Sequence, residues 1–105
     1  MRNANEIGGF HFHIYYSNES RKKAEDIFKC FPNAHWYDKP VGPHTQPMFL
    51  IEVALLRMEE VYKFMILNRN GLSVLIHPLT VNELEDHTTS AGWLGDKVPL
   101  DLDKL

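Results

Sequence analysis

Apolar and polar side chains alternate through Phe10-His11-Phe12-His13-Ile14-Tyr15-Tyr16, and a period of two over an aromatic-rich run predicts a β-strand. The period then lengthens. Ala24, Ile27, Phe28 and Phe31 recur at helical spacing, so a helix is expected from a cap at Ser17 or Asn18 to about Phe31, stopped by Pro32-Asn33. A short strand is expected at Ala34-His35-Trp36-Tyr37. The stretch from Asp38 to Pro47, with Pro40, Gly42, Pro43 and Pro47, suits neither helix nor regular strand. Met48 to Leu55 is a strongly apolar strand. Arg57 to Arg69 places Met58, Val61, Tyr62 and Met65 on one helical face and ends at an Asn70-Gly71 stop. Leu72 to His77 is the last strand, and residues 78–105 read mostly as loop, with Trp93, Leu94, Leu100, Leu102 and Leu105 able to pack back on the body.

The order βαββαβ plus a tail predicts an α+β fold. The ferredoxin-like arrangement fits it: an antiparallel sheet in the order 4-1-3-2, two helices on one face, and a C-terminal loop-rich tail. At 105 residues the chain is expected to form one domain, 1–105.

Strand parity then assigns faces. The helices need the apolar set Phe10, Phe12, Ile14 and Tyr16, which sends His11, His13 and Tyr15 to the open face. By the same rule Phe49, Ile51 and Val53 face the helices, while Met48, Leu50 and Glu52 face away. Leu72, Val74 and Ile76 point in, and Ser73, Leu75 and His77 point out. In this topology the first strand runs antiparallel to the third and fourth. The start of strand one, with His11 and His13, therefore lies beside the ends of the others, with His77 and Glu52. Met48, Leu50 and Leu75 would leave an apolar patch on that face, so a cover is expected, either the tail or a second subunit, and a homodimer with it.

Composition narrows the function classes. The 44% apolar and 24% charged content is that of an ordinary globular protein, and the net charge of −3 with no basic stripe argues against a nucleic-acid surface. Arg21, Lys22 and Lys23 form one basic cluster, read as the solvated face of a helix. No run approaches the ~20 apolar residues of a membrane helix, and no signal-peptide stretch follows Arg2, so a cytoplasmic protein without a membrane partner is expected. Cys30 is a lone cysteine between Phe28 and Phe31-Pro32, read as a buried or half-buried thiol that rules out an internal disulfide and a thiolate metal cluster.

The six histidines carry the candidate chemistry. Neutral imidazole is the commonest protein metal ligand and the usual acid–base group near neutral pH. Two histidines at i and i+2 on a strand are about 6.6 Å apart along the backbone and can serve one ion. With His77 they make a three-histidine face, suited to catalytic zinc. With Glu52 in place of one, they make the two-histidine, one-carboxylate site of non-haem iron oxygenases. Paired polar side chains on a half-wet sheet face are the plainer reading of the same pattern. His44, in a constrained Gly-Pro-His turn, and His87, in the tail, could carry function or decorate loops. His35 starts a short strand and is read as structural. Trp36, Tyr37 and Trp93 could line a pocket but suit a core equally well.

Several motifs in order make the chain resemble the DOPA 4,5-dioxygenase family. They are His11-Phe12-His13-Ile14-Tyr15-Tyr16, Pro40-Val41-Gly42-Pro43-His44, the run from Arg69 through His77-Pro78-Leu79-Thr80, the run from Asp86-His87-Thr88 through Gly95, and Leu100-Asp101-Leu102. The resemblance implies an extradiol-type dioxygenase that opens a catechol ring with iron(II) and O2. Its characteristic histidines fall on His11, His13, His44, His77 and His87; its pattern includes neither His35 nor a carboxylate at Glu52. Val81-Asn82 stand where a Thr-Gly turn is expected, a departure in a loop. Combining parity with the resemblance, His11, His13 and His77 are assigned to the metal and His44 and His87 to acid–base or substrate contact. The alternatives are a zinc-dependent hydrolase using the same histidines and a non-catalytic small-ligand or metal-binding module.

Overall fold

The computed structural model describes residues 1–105. Five strands form one antiparallel sheet: β1 (Phe10–Tyr15), β2 (His35–Tyr37), β3 (Met48–Val53), β4 (Val74–Pro78) and β5 (Gly92–Leu94), in the order β2-β3-β1-β4-β5. Helices α1 (Arg21–Phe28) and α2 (Met58–Asn68) cover one face, and a single-turn helix α3 (Glu83–Asp86) follows β4. The first four strands take the arrangement expected from the sequence. Residues 78–105 are mostly loop, as expected, but they also supply α3 and a fifth strand that pairs with β4 at Val74–Leu94, Leu75–Trp93 and Ile76–Gly92.

The ends of the elements move inward from the sequence expectation. β3 stops at Val53 and a 3-10 turn over Leu55–Arg57 leads into α2. Helix α1 starts at Arg21, because Ser17 and Ser20 bond to each other in a preceding turn, with the Ser17 amide donating to the Ser20 hydroxyl at 2.9 Å. Asn70 and Gly71 end α2 in the left-handed region, at φ +53° and +82°, which is the conformation that halts a helix.

The larger core lies between sheet and helices. Phe12, Ile14, Phe49, Val74 and Met65 are fully buried in it, joined by Ala24, Ile27 and Val61. Burial of each large side chain contributes about 1.5–3 kcal/mol. Tyr62 is exposed rather than part of that face, and Phe64 packs on the core instead. Cys30 is exposed, contrary to the expected buried thiol. Phe28 and Phe31 pack on the core at helical spacing, while Cys30 lies past the end of α1 with its thiol on the Asp26 carbonyl at 3.7 Å. Arg21 and Lys22 are solvated as expected, paired with Glu25, Asp38 and Asp26.

A smaller core fills the opposite face, where Tyr15, Met48, Leu50 and Leu75 pack beneath Val98. Trp93 and Leu100 close it from the tail, while Leu102 and Leu105 stay exposed. The tail is therefore the cover that the apolar patch required. No helix is long and apolar enough to cross a membrane.

Candidate active site

Strand pairing sets the first part of the site. His11 stands opposite His77 on one side and Glu52 on the other, and His13 lies between Leu75 and Leu50. One imidazole nitrogen from each of His11, His13 and His77 lies within 4.8 Å of the other two, with His13 and His77 buried and His11 half-buried. Glu52 is exposed and outside that trio, although it faces His11 across the ladder.

Two loops bring in two more histidines. Val41 to His44 is a tight turn closed by the His44 amide on the Val41 carbonyl, with Gly42 at φ +55° where only glycine is unstrained. The tail holds this turn over the sheet. Asp101 donates its amide to the Pro43 carbonyl at 2.8 Å, and the Thr45 hydroxyl donates to the Pro99 carbonyl at 2.6 Å. His44 thereby reaches within 4.1 Å of His13, ring centre to ring centre, although its loop starts at the far end of β1. His87 follows α3 and reaches within 4.1 Å of His77. Five histidines, His11, His13, His44, His77 and His87, line one cleft of about 450 Å³ with Tyr37, Met48, Leu79 and Lys104. His35 lies exposed on the outer strand, away from it. A second cleft of about 400 Å³ lies between α2 and β3 and contains no histidine.

Hydrogen-bond partners orient the rings. His77 donates from Nδ1 to the Pro78 carbonyl at 2.9 Å, and His87 from Nδ1 to the Glu83 carbonyl at 2.7 Å. His13 places Nδ1 3.5 Å from the Met48 thioether. Carbonyls only accept, so His77 and His87 keep their lone pairs on Nε2, and His13 can do the same with its Nδ1 proton on the weakly accepting thioether. The Nε2 atoms of His13 and His77 are 3.1 Å apart. At that distance either the His13 Nε2–H donates to the His77 lone pair, or both lone pairs turn to a cation. Two nitrogens each about 2.1 Å from a metal ion and at right angles to one another are about 3 Å apart, so the donor set fits a divalent metal.

The electrostatics agree with neutral ligands. Burial pushes His13 well below the usual imidazole range, reinforced by His44 and His77. Burial, then His87 and His77, lowers His44 to about 4. Burial also takes His77 to about 4 against the opposing pull of the Pro78 carbonyl, and it lowers His11 despite Glu52. Three neutral imidazoles suit iron(II) or zinc.

Sequence reasoning gave no role to Asp86, Tyr15 or Met48. Asp86 is 3% exposed and accepts from the Thr80 amide at 2.9 Å and the Thr80 hydroxyl at 2.6 Å. This clasp ties the end of the His77 strand to the helix that carries His87. Asn82, in the departing loop, caps that helix by accepting from the Glu85 amide at 3.0 Å. The signal in the sequence was a carboxylate next to a site histidine, which composition alone does not distinguish from a surface acid. Asp86→Ala should strand the two Thr80 donors and lower stability by about 1–3 kcal/mol, read from the urea midpoint. An unchanged midpoint would show that the clasp holds nothing.

The sequence profile of the Dopa 4,5-dioxygenase family matches residues 10–104. The chain is 36% identical to an uncharacterized 21.2 kDa protein of Botryotinia fuckeliana, over 90% of this chain and 62% of that one. It is 31% identical to the DOPA 4,5-dioxygenase of Amanita muscaria, over 95% of this chain and 50% of that one. The chain thus spans roughly half to three-fifths of the length of these relatives. The crystal structure of a putative dioxygenase from Nostoc punctiforme superposes with a TM-score of 0.92 at 31% identity, covering 98% of this chain and 95% of that chain.

Proposed function

The chain belongs to the Dopa 4,5-dioxygenase family, and from that premise we propose that it is an extradiol-type dioxygenase that opens a catechol ring with iron(II) and O2. The convergence of five histidines on one cleft, with the Nε2 atoms of His13 and His77 facing each other at 3.1 Å, is the observation that carries this reading. His11, His13 and His77 would hold the ion. Iron(II) held there would supply a redox-active Lewis acid for a reaction between a catechol and O2.

The remaining work falls to the protein. His44 and His87 stand on either side of the trio, each with its Nδ1 engaged and its other ring nitrogen open to a catechol hydroxyl, so that one of them can exchange a proton with it. Proton transfer of this kind contributes about a hundredfold or more. Tyr37, Val41, Pro43 and Leu79 supply apolar and aromatic walls against which a flat ring can lie. The tail, through Asp101 and Pro99, holds the His44 turn beside the trio, where His13 and His77 are each 3% exposed.

Oxygen uptake with a panel of catechols, on protein loaded with iron(II) under reducing conditions, tests the proposal. Uptake matched to loss of the catechol is the expected result. Full iron loading with no uptake on any catechol would overturn it. A hydrolytic activity with zinc would then point to the hydrolase, and catechol binding without turnover to a binding module.

A further inference from the structure

Four of the site histidines make a hydrogen bond through Nδ1, and one of the four differs in kind. His13, His77 and His87 meet a thioether or a carbonyl, which only accept. His44 meets the Tyr15 hydroxyl, at 2.7 Å, and a hydroxyl can donate.

We propose that Tyr15 locks His44 into the tautomer with its proton on Nε2, so that His44 faces the cleft as a hydrogen-bond donor and His87 alone acts as the base. Tyr15 is 2% exposed, and His44 Nδ1 is the polar partner its hydroxyl has. If Nδ1 carried the proton, it would donate to the phenol oxygen and leave the phenol proton buried without an acceptor. Stranding a buried donor is costly enough to disfavour that arrangement by tenfold or more. Burial and stacking on Trp93, at 5.9 Å and 23°, restrain the Tyr15 ring against swinging to another partner. Tyr15 is therefore a positioning residue that acts through His44.

The tautomers divide the labour. A catechol O–H bond breaks, its electron pair stays on oxygen, and the proton moves to the free Nε2 of His87, held there by the Nδ1 bond to Glu83. The His44 Nε2–H donates to the negative charge that develops on the substrate. This division deepens the dioxygenase reading, on which it rests for the identity of the substrate. The lock itself needs only the hydrogen bonds.

The test is a ¹⁵N–¹H correlation spectrum of histidine-labelled protein, metal-free and zinc-loaded, at pH 8, above the ordinary imidazole value of about 6.5. His44 should carry its proton on Nε2 and His87 on Nδ1. Tyr15→Phe should shift His44 toward the Nδ1-protonated form. In turnover, His44→Gln, whose amide offers an N–H near the Nε2 position, should exceed His44→Ala by about tenfold or more, since one well-placed donor is worth about a hundredfold. His87→Gln should be no better than His87→Ala. A proton on His44 Nδ1 in the parent protein, or a tautomer unmoved by Tyr15→Phe, would overturn the proposal. The spectra decide it whether or not the chain consumes oxygen, so a failed oxygen assay strikes the catechol reading alone.

Discussion

Replacing His77 or His13 by alanine should abolish both metal content and turnover. Each supplies one of the two Nε2 atoms that face at 3.1 Å, the pair that a metal ion would bridge. Changes in the outer partners of metal ligands already cost about 10–100-fold, so loss of a ligand should exceed about a hundredfold in affinity and rate. Stability offers a second readout. Metal at a hundred times its dissociation constant should stabilise the parent by about 2.7 kcal/mol, a rise of about 10 °C or more in melting temperature for a domain of this size. Both variants should lose that rise. His44→Ala should keep the metal and slow the chemistry by about a hundredfold. Full metal loading and normal turnover in both His13→Ala and His77→Ala would place the site elsewhere.

The metal-free protein should be acid-labile across an unusual window. In the unfolded chain a histidine titrates near 6.5, whereas in the fold His44 and His77 titrate near about 4. Between those values the unfolded state binds more protons, so stability is intact above pH 6.5, falls as pH falls, and levels off below about 4. A shift of that size corresponds to about 3 kcal/mol per histidine at full weight; halved for residual solvent and mutual coupling, the pair contributes about 3 kcal/mol together. His13 adds to it in the same direction. Against a total of about 5–15 kcal/mol this is a large share. Urea midpoints measured from pH 8 to pH 4 in the presence of chelator check it, and a flat profile would contradict the buried neutral cluster. The loaded protein should release its metal over the same range, since protons compete for the ligands.

Strand parity was the most reliable message in the sequence. It put His11, His13, Tyr15 and His77 on one face and Phe12, Ile14, Phe49 and Val74 on the other, where the structure has them. A one-residue slip would have reversed every assignment, so long alternating strands encode their faces strongly. β5 escaped because Gly92-Trp93-Leu94 is too short for any period to show, and α3 because four acid-rich residues look like a turn. The reach of His44 was hidden for another reason. It depends on pairing with Leu100, more than fifty residues away, and no local pattern reports such a contact. Cys30 was misjudged because apolar neighbours in sequence are not neighbours in space at a helix end.

The pinning of the His44 turn by residues 99–101 divides the site into two levels of permanence. His11, His13 and His77 belong to the central ladder, which opens only with the whole sheet. His44 is carried by a turn held by a few backbone and hydroxyl bonds to the tail. Segments fastened in that way open at a fraction of the global free energy. Withdrawal of residues 99–101 would release His44 and unroof the cleft while leaving the ladder folded. Such a fluctuation would widen the cleft without disturbing the three histidines fixed on the ladder.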